Sequence, residues 1–171
     1  MTASQGYGVS CLGLINNVAG DTTFLNTGLI TLGNGTDTIT FAGGLDTTSG
    51  MNGTSIGGTV LTTDTQMDLG AVTLTATSEL DSGTAAVSVI NVGAVTGAGF
   101  GLTLDSGADA GADITVASLM GNGALTVRDS GGTTFTNGVA ASTVTLTDTT
   151  GAVSFLGNTT INSLVTASQG Y

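Results

Sequence analysis

The chain has 171 residues, 29 of them Gly, with no Pro, Trp or His, only 8% charged residues and a net charge of −11. With Arg128 as its one basic residue, it lacks the basic stripe of a nucleic-acid binder, and anionic membrane surfaces repel it. Ordinary domains carry about 25% charged residues, but 40% hydrophobic residues argue against disorder.

Thr, Ser, Asn and Gly fill the place of the charges, and helix formers are scarce, so the composition is that of an all-β protein. The length suits one domain with a sizeable core. No apolar run is long enough for a membrane-spanning helix. Two Tyr, five Phe and no Trp cannot build the aromatic girdles of a transmembrane barrel. No charged n-region and apolar h-region open the chain, which in an excised piece says nothing about export.

In chain order, the first feature is "TASQGY" at Thr2–Tyr7, which returns as Thr166–Tyr171, an offset of 164. Residues 1–171 are therefore read as a single solenoid segment, one 164-residue period of a tandem array. "GVSCLG" at 8–13 follows, with Cys11 expected as a buried small hydrophobe; a lone Cys forms no internal disulfide. "DTITFAG" at 37–43 alternates with the period of two that marks a strand. "GAVT" at 70–73 recurs at 93–96, and "GLTL" at 101–104 matches "ALTV" at 124–127, both at a spacing of 23. "LDSG" at Leu80–Gly83 recurs at Leu104–Gly107 and as "RDSG" at Arg128–Gly131, which spaces Asp81, Asp105 and Asp129 by 24.

"LTVRDSGGTTFTNG" from Leu125 then aligns with "VTLTDTTGAVSFLGN" from Val144 at a spacing of 19 to 20, with Val144 and Leu146 turned inward and Thr145 and Thr147 outward. "AVSFLG" at 152–157 finds its partner one coil further on only if Tyr171 continues into another copy at Gly8. That continuation would bring Phe155 over Cys11 and Leu156 over Leu12. Val9, Cys11, Leu12, Val153, Phe155 and Leu156 are thus the expected end-to-end interface.

Short repeats with a few β-runs and Gly/Asn/Asp turns predict a parallel β-helix, a β-solenoid of seven or eight coils of about 19–24 residues. The general crossover rule makes it right-handed. At about 4.8 Å per coil the rod is roughly 35 to 40 Å long.

Chemistry-bearing patterns are few. "LGNGTDTIT" at 32–40 matches a calcium-binding nonapeptide at Gly33, Gly35, Asp37 and Ile39, but equally an Asn-Gly turn entering a strand. Asp105, Asp109 and Asp113 share one Gly/Ala loop that suits either a Ca²⁺ ion or a solvated acidic turn. The Asp81–Asp105–Asp129 column either splays into water or shares a cation. Without His or Lys no Ser-His-Asp, Cys-His or Ser-Lys arrangement exists, so no enzymatic activity is expected. Thr38/Thr40, Thr73/Thr75 and Thr145/Thr147 raise an ice-binding Thr ladder as a further alternative.

The units "DTITFAGGLDTT", "GALTVRDSGGTTFTNGV" and "STVTLTDTTGAVSFLGN" resemble the β-strand repeats of filamentous-haemagglutinin-like adhesins and autotransporter passengers. That resemblance implies a right-handed β-helical shaft, exported and displayed on, or shed from, a bacterial surface. The expected function is a non-enzymatic segment of a long extracellular fibre, with further copies of the chain as its partners. A Ca²⁺-dependent binding module is the alternative from another class.

Overall fold

In a computed structural model, which describes residues 1–167, the chain winds as an all-β parallel solenoid of about eight turns, with no helix among the described residues. Ser168–Tyr171, most of the second "TASQGY", lie outside the described residues.

All recorded strand pairings are parallel, and they fall into three stacks, so the solenoid has three sides. The first side runs through Val9–Cys11, Ile30–Leu32, Thr54–Ile56 and Val72–Leu74, then through Val95, Leu119, Val139 and Thr159. The second runs from Ile15–Val18 through Thr38–Phe41, Thr59–Thr62, Ser78–Asp81 and Leu102–Asp105 to Val127, Leu146 and Thr166. The third runs from Thr22–Thr23 through Leu45–Asp46, Met67–Leu69, Ile90 and Ile114 to Gly132–Phe135 and Val153–Phe155. Long strands such as Asp113–Ser130 bend through three sides in turn.

Along the first side, the numbers of paired residues differ by 21, 24, 18, 23, 24, 20 and 20. The coil from Thr54 to Val72 is thus one residue shorter than the expected range. The predicted spacings hold in register: Val72 pairs with Val95, Leu102 with Leu125, Leu125 with Val144 and Phe135 with Phe155.

Period-two alternation sends one residue in two to a single narrow core, where identical sides stack like on like. Ile39, Val60, Leu80, Leu104, Val127 and Leu146 form one buried column, and Leu45, Met67, Ile90 and Ile114 another. Val144 is fully buried and Leu146 buried, as the alternation predicts. The core's last stacked aromatics are Phe135 and Phe155, with ring centroids 5.0 Å apart and planes 5° from parallel.

The "DSG" motif makes the corner that leaves the second side. Gly83 and Gly107 take φ of +100° and +81°, a region open to Gly at no steric cost. The preceding Asp accepts their amide hydrogen bonds: Gly83 N donates to Asp81 Oδ1 at 2.9 Å, and Gly107 N to Asp105 Oδ1 at 3.2 Å. Ser82 and Ser106 point inward, fully buried, and donate to the carbonyls of Ser88 and Ala112 across the corner. The Ser hydroxyl thereby satisfies a carbonyl that water cannot reach.

Candidate functional site: the open ends and the acidic strip

The strands that close the middle coils run out unpaired at each end. At the N-terminal end Val9 and Cys11 pack on the core yet are only half-buried, while Leu12, Leu14 and Ile15 are exposed. Partial burial raises the Cys11 thiol above its ordinary pKa. At the C-terminal end Val153, Phe155 and Ile161 are half-buried, and Leu156, Leu164 and Val165 are exposed. A cavity of about 210 Å³ opens there between Leu146, Gly151, Ala152, Val153 and Thr166. Leu164 continues the inward column of Leu125 and Val144, both fully buried, but is itself 54% exposed because no described coil stacks beyond it.

The N-terminal segment covers only the third side. Thr2 N donates to the Thr23 carbonyl at 3.0 Å, Thr2 Oγ1 accepts from the amides of Leu25 and Asn26, and Thr27 N donates to the Gln5 carbonyl.

All six residues expected at the ends are found there, but on different sides. Val9 and Cys11 stand on the first side, Val153 and Phe155 on the third. Two adjacent copies aligned side for side would therefore not put Phe155 over Cys11.

The acidic strip lies on the outer face of the second side. Asp81 pairs with Asp105 in register, and Leu104 pairs with Val127. One residue later Ser106 N bonds the Asp129 carbonyl, so Arg128 and Asp129 together oppose Asp105. Arg128 is an inserted residue, a bulge that re-aims one side chain. Its guanidinium lies against the Glu79 carboxylate, two coils away, and bonds Asp105 Oδ2 at 3.2 Å. In the Asp81–Asp105–Asp129 column, the chain's one basic side chain is thus inserted beside Asp105.

Two carboxyls of the strip are raised above their ordinary values despite the Arg128 charge. Burial, then the charges of Asp105 and Asp148, raises the Asp129 carboxyl. Burial, then Asp105 and Glu79, raises Asp81 against the opposing Gly83 hydrogen bond. For Arg128, partial burial works against the charge, but Glu79 and Asp105 more than offset it and raise its pKa.

Of the expected metal residues, Asp105 has Glu79 and Asp81 as its neighbours: carboxylate oxygens of these three lie within 4.8 Å of one another. Asp109 and Asp113 do not join that group; both are exposed, and Asp109 Oδ1 accepts from Gly111 N within its own loop. Asp37, two coils nearer the N-terminus than Ser78–Asp81, is buried and caps its own turn, accepting from Asn34 N at 2.9 Å. In that turn Gly33 has φ +74°, and a Cβ there would meet the Gly57 carbonyl at 2.1 Å.

Glu79 was not anticipated; its signal was "SELDSG", which puts it two residues before Asp81 on the same outward face. A second acidic groove, about 330 Å³, opens on the third side between Asp21, Asp46 and Asp68, where the Gln66 and Asn91 amides donate to Asp68.

The threonine pairs are distributed unevenly. Thr38, Thr59, Thr103, Thr126 and Thr145 stack outward on the second side, but Glu79 interrupts them, and the neighbouring column holds Leu61, Asp81 and Asp105. Thr73 stands on the first side.

These features define the class as a parallel β-solenoid. Comparison with protein-family models, with curated proteins and with solved structures finds no match.

Proposed function

We propose that the chain is a non-enzymatic structural repeat of a long extracellular fibre or adhesin shaft on a bacterial surface, joined to further copies of itself head to tail. The observation that carries this reading is the pair of open ends. The apolar inward columns continue to Val9 and Cys11 at one end and to Val153 and Phe155 at the other; the Thr2–Tyr7 segment covers the third side alone, and among the described residues no polar cap lies over these four. Solenoids that end as monomers carry such caps. An end with unpaired strand edges is a template for another chain, and a contact between unlike ends forms an open filament. The resemblance to adhesin and autotransporter repeats supports an exported setting, and a single Arg held in a β-bulge suits exposure to proteases.

Negative-stain microscopy of the purified chain, with and without a calcium chelator, tests the reading. Filaments that survive chelation are expected. Compact monomers in both conditions at high concentration would remove free-end association. Filaments that dissolve on chelation would favour a Ca²⁺-dependent module, with the Glu79, Asp81 and Asp105 carboxylates as its candidate ligands.

A further inference from the structure

We propose that a following copy joins this one rotated by one side of the solenoid, its Val9–Cys11 strand lying on the Val153–Phe155 strand of the copy before it. The inference rests on the head-to-tail reading and on the 164-residue period, and it fixes which surfaces meet.

The first argument is coil length. With a period of 164, Val9 of the following copy stands at position 173. Measured from Thr159, the last first-side position, that makes a coil of 14; measured from Val153 on the third side, it makes a coil of 20. The shortest coil in the structure is the 18 from Thr54 to Val72, and the last two on the first side are each 20. The rotated joint continues that rhythm, whereas a side-for-side joint demands a coil four residues shorter than any observed.

The remaining pairs follow consistently. Val18 of the next copy stands at position 182, a spacing of 21 from Ile161, and its Phe24 at position 188, a spacing of 22 from Thr166. Apolar residues then meet apolar ones, Val9 on Val153, Cys11 on Phe155 and Val18 on Ile161, covering side chains that the single chain leaves half-buried or exposed.

The second argument is independent of counting. Thr2 and Thr166 are the same residue of the period. Thr166 pairs with Leu146 on the second side, while Thr2 runs alongside Thr23–Leu25 on the third. One residue can occupy both places only if the third side of the next copy continues the second side of this one. That is the same rotation.

The physical cause is the number of sides. From Val9 the chain makes eight first-side, eight second-side and seven third-side runs, seven coils and two sides, before the next copy begins. Each copy therefore starts one side early, and a surface strip such as the acidic one winds around the fibre by a third of a turn per copy.

The test is a two-period chain in which residues 8–171 of a second copy follow Tyr171. Cys11 of the first copy is replaced by Ser, leaving Cys11 of the second as the only thiol. Phe155→Cys or Ile161→Cys is then introduced in the first copy. In-register parallel neighbours lie about 4.8 Å apart, within disulfide reach. After mild oxidation, peptide mass spectrometry is expected to find the Phe155→Cys variant cross-linked to Cys11 at least tenfold more than the Ile161→Cys variant.

Preferential cross-linking through Ile161→Cys would overturn the rotation, and cross-linking through neither would overturn the stacking of consecutive periods. Val153→Cys paired with Val9→Cys, in a chain without Cys11, gives the same reading should loss of the Phe155 ring disturb the fold. A strong Phe155→Cys cross-link in the two-period chain, with no filaments from the free single-period chain, supports the rotated joint while refuting association through free ends.

Discussion

The middle coils and the terminal coils carry the same alternating pattern and differ in what it achieves. Val144 is fully buried, whereas Leu164, one coil later in the same inward column, is more than half exposed. Leu32 is fully buried, and Cys11, its register partner, is only half-buried. In a solenoid an inward residue becomes core only when a coil stacks on both sides of it. The energetic unit is the pair of adjacent coils, and the ends are where that unit is incomplete.

The sharpest test of this difference is the largest expected effect. Phe135→Ala in the closed core should cost about 3–5 kcal/mol, read by urea or thermal melts. Leu164→Ala at the open end should cost well under about 1 kcal/mol in the single chain, because little apolar area is buried there. Equal costs would remove the distinction between closed and open coils.

Gly107→Ala comes next. It places a side chain at φ +81° with its Cβ 2.5 Å from Thr84 Cα, at a corner of the closed region. The left-handed conformation alone costs about 1–2 kcal/mol, and the backbone clash adds to it. A melt indistinguishable from the parent would show that the corner relaxes freely.

Arg128→Gln leaves Glu79 and Asp105 facing each other without their cation. The Arg128 side chain is 46% exposed, so the loss should stay on the order of 1 kcal/mol and shrink as salt rises. A salt-independent loss would assign the role of Arg128 to packing.

The smallest effect concerns pH. Asp81 and Asp129 have carboxyl pKa values raised in the folded chain, so their ionised forms oppose folding. That opposition is complete above the raised values and disappears as pH falls towards the ordinary carboxylate range. Mild acidification from neutral should therefore remove a destabilising contribution, and Asp129→Asn should stabilise the neutral protein slightly, by about 1 °C in Tm, while flattening the acid gain. A fall in Tm for Asp129→Asn at neutral pH would contradict the repulsion.

Much of this was legible in the sequence, for a specific reason. Parallel stacking puts equivalent residues of successive coils beside one another, so the spacing of like motifs is the strand register itself. The spacing of 23 between "GLTL" and "ALTV" and that of 19 between Leu125 and Val144 both reappear as paired strands. Even the bulge left a trace: the strands repeat at 23 while the aspartates after them repeat at 24, and the extra residue is Arg128. The candidate metal residues are less legible: the spacing of 24 does bring Asp81 beside Asp105, but Glu79, which joins them, carries no repeat of its own, and Asp109 and Asp113, near Asp105 in sequence, do not join the group.

By itself, then, the sequence determined an all-β solenoid, the register of the coils whose motifs recur from Val72 onward, and the inward turn of Val144 and Leu146, because these follow from a period of two and from repetition. Only the tertiary structure decided that there are three sides, that Arg128 reaches Glu79 and Asp105, and that Phe155 and Cys11 stand on different sides. A spacing counts residues, whereas a side depends on how many corners intervene. Here one residue turns the corner between Val92 and Ala94, and a loop of eight separates Asp81 from Ile90.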